Sequence, residues 1–134
     1  MKHVKHKAFK RQRRRIRRCF DEWGTKLGLR WWSVEIRYYD RPKRFRKASG
    51  ASANAAMRVW ADWRYMTATI AVNVPALAEL SDDELERAVV HELVHILVNE
   101  MREDDPDVKH EERTVTMLTK AVIWVRDLSR KGKA

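Results

Sequence analysis

The chain holds a single cysteine, Cys19, among its 134 residues. One cysteine excludes an internal disulfide and a cysteine-only metal cage. Beside the apolar stripe of a basic helix, that thiol is expected to be buried or inert. No apolar run approaches the roughly 20 residues that a membrane span needs. The basic N-terminus is not followed by an apolar stretch, so no secretory signal is expected. The "IRRCF" after Arg13–Arg15 does not suit a twin-arginine export signal. A reducing, cytoplasmic location is the expectation that remains. There are only four glycines and three prolines, and no internal repeat, so few breaks interrupt the chain. This length suits one compact domain with one core.

Acids are missing altogether from residues 1–18, which carry ten Lys/Arg. The remaining chain balances nineteen bases against nineteen acids, so the net charge of +10 resides in that first segment. Elsewhere the charge is uneven. Glu79–Glu112 holds thirteen acids and three bases, and Arg37–Lys47 holds six bases and one acid. A strongly dipolar molecule follows.

Apolar periodicity then orders the elements. Phe9, Ile16, Phe20, Trp23 and Leu27 fall at helical spacing, with Gly28 as the expected stop. "WWSVEIRYY" alternates, with Trp32, Val34, Ile36 and Tyr38 on one side, as a half-buried strand does. "DRPKRFRKASGAS" reads as a mobile basic loop punctuated by Pro42 and Gly50. "AMRVWADW" and "TATIAVNV" read as two further strands, the second ended by Pro75. Ser81 and Glu84 form a capping box that opens a helix running to about Arg102. Pro106 centres a break. A last helix follows, with Val115, Leu118, Val122 and Val125 as its expected buried stripe. The expected architecture is α+β: helix, three strands, two helices. A basic arm over 1–18 would lead into the first helix, with one domain over 19–130 and a basic tail at 131–134.

The chemistry lies in "VVHELVHILV", residues 89–98. Positions i and i+4 share a helix face, so His91 and His95 can converge on one ion at about 2.0–2.1 Å. Glu92 points roughly 100° round the helix, in reach of a water held at the ion without binding the ion itself. Ala88, one turn before His91, leaves room beside the pair. A catalytic zinc needs a third protein ligand and one open position. His110, Glu111 and Glu112 stand at the start of the next helix and are the candidates. Glu112 is preferred, because Thr116 one turn later can support a ligand carboxylate and Val115 after Glu111 cannot.

"AVVHELVHILV" followed by "EERTVTMLTKA" resembles the gluzincin branch of the zincin metallopeptidases. More narrowly, it resembles the minimal members found in phage and bacterial genomes. The resemblance spans about residues 31–126, with specific motifs only in 81–119. It implies a zincin-like core of helix, three strands, active-site helix and glutamate helix. It also implies zinc ligation by His91, His95 and a downstream glutamate, with Glu92 activating water. Glu112 stands three residues before an apolar position, as that family's glutamate tends to; a related zincin branch uses a third histidine, which keeps His110 open.

Other candidates are weaker. "EMREDDPD" lacks the glycine and ligand spacing of a calcium loop. Tyr38, Tyr39 and His110 are candidates for oxyanion stabilisation as well as for packing or surface roles. Arg11, Arg13, Arg14, Arg17 and Arg18 suit a solvated helix face, sequence-tolerant phosphate contacts or an anionic membrane surface, and "RPKRFRK" could extend such a patch. The expected function is a zinc-dependent peptide hydrolase. The alternative is a nucleic-acid-binding accessory protein whose zinc is structural, with His110 closing the fourth position.

Overall fold

The computed structural model describes residues 2–52, 54–102 and 111–132. It is a mixed α+β fold. Helix α1 (Lys2–Lys26) leads through a 3-10 turn (Leu29–Trp31) to β1 (Ser33–Tyr39). Then come α2 (Pro42–Ser49), β2 (Met57–Asp62), β3 (Thr67–Asn73) and a short α3 (Val74–Ala78). Helix α4 (Asp82–Val98), a 3-10 turn (Asn99–Arg102) and α5 (Glu111–Gly132) complete the chain. No helix among the described residues is long and apolar enough to cross a membrane.

The sheet order is β1-β3-β2, with β1 parallel and β2 antiparallel to β3. Ile70 on β3 is fully buried and lies in register with Ile36 on one side and Val59 on the other. β1 alternates as its pattern predicts: Val34, Ile36 and Tyr38 pack against the core, while Ser33, Glu35 and Arg37 are exposed. It starts two residues later than "WWSVEIRYY" suggested, because Trp31 closes the 3-10 turn and is 86% exposed.

Helix α1 buries the expected stripe, with Ile16, Phe20 and Trp23 in the core. Gly28, at φ 77°, takes the left-handed conformation just past its end, which glycine adopts at no steric cost. The helix already begins at Lys2, so the basic segment is part of α1 and no separate arm leads into it. Within it, the Arg15 guanidinium donates to the Leu80 carbonyl at 2.8 Å and pairs with Asp82 at 2.9 Å, fastening α1 to the start of α4.

Two expectations are corrected. The basic stretch after β1 is a helix, α2. Pro42 stands in its first turn, where the missing N–H costs nothing, and Gly50 at φ 66° closes it. Phe45 is fully buried and meets Tyr39 edge-on at 6.2 Å. Arg58 donates to the Ser49 carbonyl at 2.7 Å, satisfying the helix's last turn. The buried Phe45 anchors this run of cations to the core, and the surrounding charge concealed it in the sequence. The buried stripe of α5 is also rotated from the expected one. Val115 and Thr119 are buried and Val122, Ile123 and Arg126 partly so, whereas Leu118 and Val125 are 42% and 59% exposed.

Arg126 explains that rotation. Its guanidinium pairs with Glu86 of α4, also bonds Asp127 at 2.9 Å, and lies 5.6 Å from the ring centroid of Trp23. The Trp23 indole N–H donates to the same Glu86 carboxylate at 3.0 Å. Helices α1, α4 and α5 therefore meet at one largely buried ion pair, with Arg126 12% and Glu86 16% exposed. The Arg126 hydrogen bond holds the Glu86 carboxyl below its ordinary pKa, against the opposing effect of burial. A depressed carboxylate pKa stabilises the fold above the unfolded value and loses that contribution as pH falls through the folded value. Glu86→Gln is expected to cost about 2–3 kcal/mol at pH 7, because Arg126 loses its shielded anion on α4 and keeps only Asp127 of its own helix. The cost should shrink between about pH 5 and 3. Urea unfolding of both proteins across that window checks this, and an equal cost at pH 7 and pH 3 would place the stabilisation elsewhere.

Candidate metal centre

The site is built on α4, whose start is fixed by the expected capping box. The Glu84 backbone N–H donates to the Ser81 hydroxyl at 3.2 Å, and the Ser81 N–H donates to the Glu84 carboxylate at 3.0 Å. These bonds lower the Glu84 pKa. Leu85, Val89, Val90, Leu93, Val94 and Ile96 bury the apolar face of the helix. This sets its rotation and turns His91 and His95 into a cleft of about 970 Å³ between α4, β2 and the start of α5. The two imidazoles stand 5.0 Å apart, centroid to centroid.

Helix α5 brings both of its first glutamates to this pair, in different roles. Glu112 reaches Nε2 of His91 at 2.6 Å and Nε2 of His95 at 3.1 Å, one oxygen to each. Glu111 reaches Nδ1 of His95 at 3.4 Å from the other side of the ring. Glu112 is 71% exposed and Glu111 is 16% exposed, so the outer glutamate meets the open site and the inner one lies behind it. Glu111 gives polar support to His95, whereas the Thr116 hydroxyl, expected to support the Glu112 carboxylate, does not bond it. His110 lies outside the described residues.

Donor atoms of His91, His95 and Glu112 lie within 4.8 Å of one another. Two imidazole nitrogens and one carboxylate oxygen are donors that zinc accepts, and a carboxylate on the far nitrogen of a ligating histidine is a common orienting contact. The residues present therefore fit a zinc ion in their composition. Burial pushes His95 below the ordinary imidazole range; Glu112 opposes this, His91 adds to it, and Glu111 opposes it. The neutral form that burial favours is the one able to ligate.

Glu92 lines the same cleft, outside the three-donor set. Burial, and then the charge of Glu112, push its carboxyl up to about 7. A carboxyl near neutrality can take and return a proton. Arg87 also lines the cleft, one turn before His91 on the same helix face. It was missed in the sequence, although i, i+4 phase from His91 locates it. Asn99 and Trp60 complete the rim, and Ala88 lines the cleft as its small size suggested.

The remaining candidates fall elsewhere. Tyr38 packs against the core, with Arg17, Asp21 and Arg13 as its charged neighbours, and burial raises its pKa. Tyr39 packs on Phe45. Neither tyrosine lines the cleft, so neither is positioned to meet an oxyanion there. Cys19 is half-buried, and burial with the Glu86 and Glu22 carboxylates pushes its thiol up to about 12. It is not a nucleophile at neutral pH. Arg11, Arg13, Arg14, Arg17 and Arg18 are all exposed on α1, away from the cleft. No protein-family model matches the chain, and no match to it was found among curated proteins or solved structures.

The two glutamates should separate in a zinc titration against a competing chelator. Glu112→Ala removes a donor and should lose most of the affinity. Glu111→Ala leaves the donors in place and should weaken binding by about 10–100-fold, as loss of an orienting partner does. The reverse order would make Glu111 the ligand.

Proposed function

We propose that the protein is a zinc-dependent hydrolase of minimal gluzincin type, acting on peptide bonds. The observation that carries this reading is the convergence of His91, His95 and Glu112 beside Glu92 in one cleft. The order of helix, three strands, histidine helix and glutamate helix is in keeping with it. Bound zinc would supply Lewis acidity, lowering the pKa of a coordinated water to about 7 and polarising a carbonyl. His91, His95 and Glu112 would hold the ion, and Glu111 keeps the His95 ring in place.

The chain's own groups divide the rest of the work. Glu92 takes a proton from the attacking water as its oxygen adds to the peptide carbonyl. It returns that proton to the amine as the C–N bond breaks. Strand β2 pairs with β3 along one edge only, and Met57–Ala61 line the cleft along the other. Its unpaired backbone groups suit an extended peptide added as a fourth strand. Arg87 at the rim suits an acidic group on that peptide.

Glu92→Gln is expected to retain one zinc per chain and the wild-type fold while losing peptide hydrolysis by at least ~10²-fold. Metal content and cleavage of a peptide library, measured on both proteins, check this. Zinc lost along with activity would put Glu92 among the ligands. Cleavage unaffected by chelation would end the zinc reading.

A second reading has its own support: of the arginines in residues 11–18, Arg15 is used in packing, while Arg11, Arg13, Arg14, Arg17 and Arg18 face solvent on one continuous helix. Such a face suits a polyanion, and each phosphate contact would release a condensed counterion. On this reading the chain is a nucleic-acid-binding accessory protein, and the metal has a structural role. Converting those five arginines to glutamine should leave folding and zinc binding intact. It should abolish a weak, sequence-independent DNA or RNA affinity on the order of 10⁻⁴–10⁻⁶ M at physiological salt. Equal binding by both proteins through a salt titration would leave α1 as a solvated helix.

A further inference from the structure

Helix α5 is apolar on two sides. One side enters the core. On the other, Met117, Leu118, Ala121, Trp124, Val125 and Leu128 are all exposed, Trp124 by 63% and Met117 by 60%. The steps from 117 to 121, 124 and 128 are four, three and four residues. That is the spacing of a seam between two helices. The seam lies roughly 140° round the helix from the line of Val115, Thr119 and Arg126. It would contribute roughly 500 Å² per chain, at the upper end of what a monomer leaves exposed.

We propose that this seam pairs with the same seam of a second copy, α5 antiparallel to α5. The register follows from side-chain size and charge. Setting Ala121 opposite Trp124 of the second copy puts the smallest seam residue against the largest. The same register sets Met117 against Leu128, and Leu118 beside Val125. Lys120 and Asp127 flank one border of the seam, both exposed. Antiparallel pairing brings Lys120 within about two residues' rise of Asp127 from the second copy, twice by symmetry. A parallel pair would set Lys120 beside Val125 and gain no such contact. Two seams bury roughly 1,000 Å², about the least that a specific interface needs. Glu111 and Glu112 lie off the seam, so pairing leaves the histidine cleft open, and the inference does not depend on the proposed activity.

Sedimentation equilibrium of the full chain over about 1–100 µM tests this. A dimer is expected. Trp124→Asp should raise its dissociation constant at least ~100-fold, as loss of a central aromatic anchor does. Measured well below the dimer's dissociation constant, where association adds nothing to stability, its thermal melting should match wild type, since Trp124 takes no part in the core. Lys120→Asp should weaken the dimer by about tenfold through facing Asp127 of the second copy. Lys120→Arg, which keeps the charge, should hold it within about threefold of wild type. A monomer throughout the range would overturn the proposal, whether or not the same face binds anionic vesicles. A dimer indifferent to Trp124→Asp would overturn the seam, and a Lys120→Asp dimer as tight as wild type would overturn the antiparallel register.

Discussion

The rotation of α5 about its own axis depends on the ion pair between Arg126 and Glu86, with the Trp23 indole on the same carboxylate. Facing inward, Arg126 meets the shielded Glu86 carboxylate, which would otherwise be left buried without a cation. Helical geometry carries that choice along the rod. Thr119 and Val115 fall on the same line, and Glu111 falls on it one turn further on. Glu111 is thereby drawn to Nδ1 of His95, and Glu112, about 100° round, to the two Nε2 atoms. A contact some four turns along α5 from Glu111 and Glu112 thus bears on which carboxylate meets the open cleft.

The same geometry separates three carboxylates that crowd one site. Glu112 is exposed and bridges the imidazoles. Glu111 is shielded and orients one of them. Glu92 is half-buried, and its pKa is driven up to about 7. All three are glutamates, so position and burial alone give them different surroundings. The capping box sets where α4 begins, and its wide apolar face sets its rotation, so the histidine pair is held on a capped helix packed beside the sheet. A site on rigid elements keeps its donors in place before any ligand arrives.

Local rules that repeat along the chain were legible in the sequence. Period-2 alternation located β1 and its inward face, period-3.6 spacing located α1, and Ser81 with Glu84 marked the start of α4. The i, i+4 histidines shared a face for the same reason. Local pattern misled where one residue outweighed its neighbours. Phe45 ordered α2 inside a run of cations. In α5, two apolar stripes competed for the core, and the more apolar one, containing Leu118 and Val125, stayed outside.

By itself the sequence determined which residue types stand at which spacing: the histidine pair, the intervening Glu92, three nearby candidates for a third donor, and a charge excess confined to the first helix. Only the tertiary structure decided that Glu112 meets both histidines while Glu111 stands behind one, that β2 is the edge beside the cleft, and that Tyr38 and Tyr39 turn away from it. The physical reason is range. Periodicity and capping are set within a turn or two of the chain, whereas the rotation of α5 is set by a contact with Glu86, forty residues earlier in the chain, and with Trp23, more than a hundred residues away.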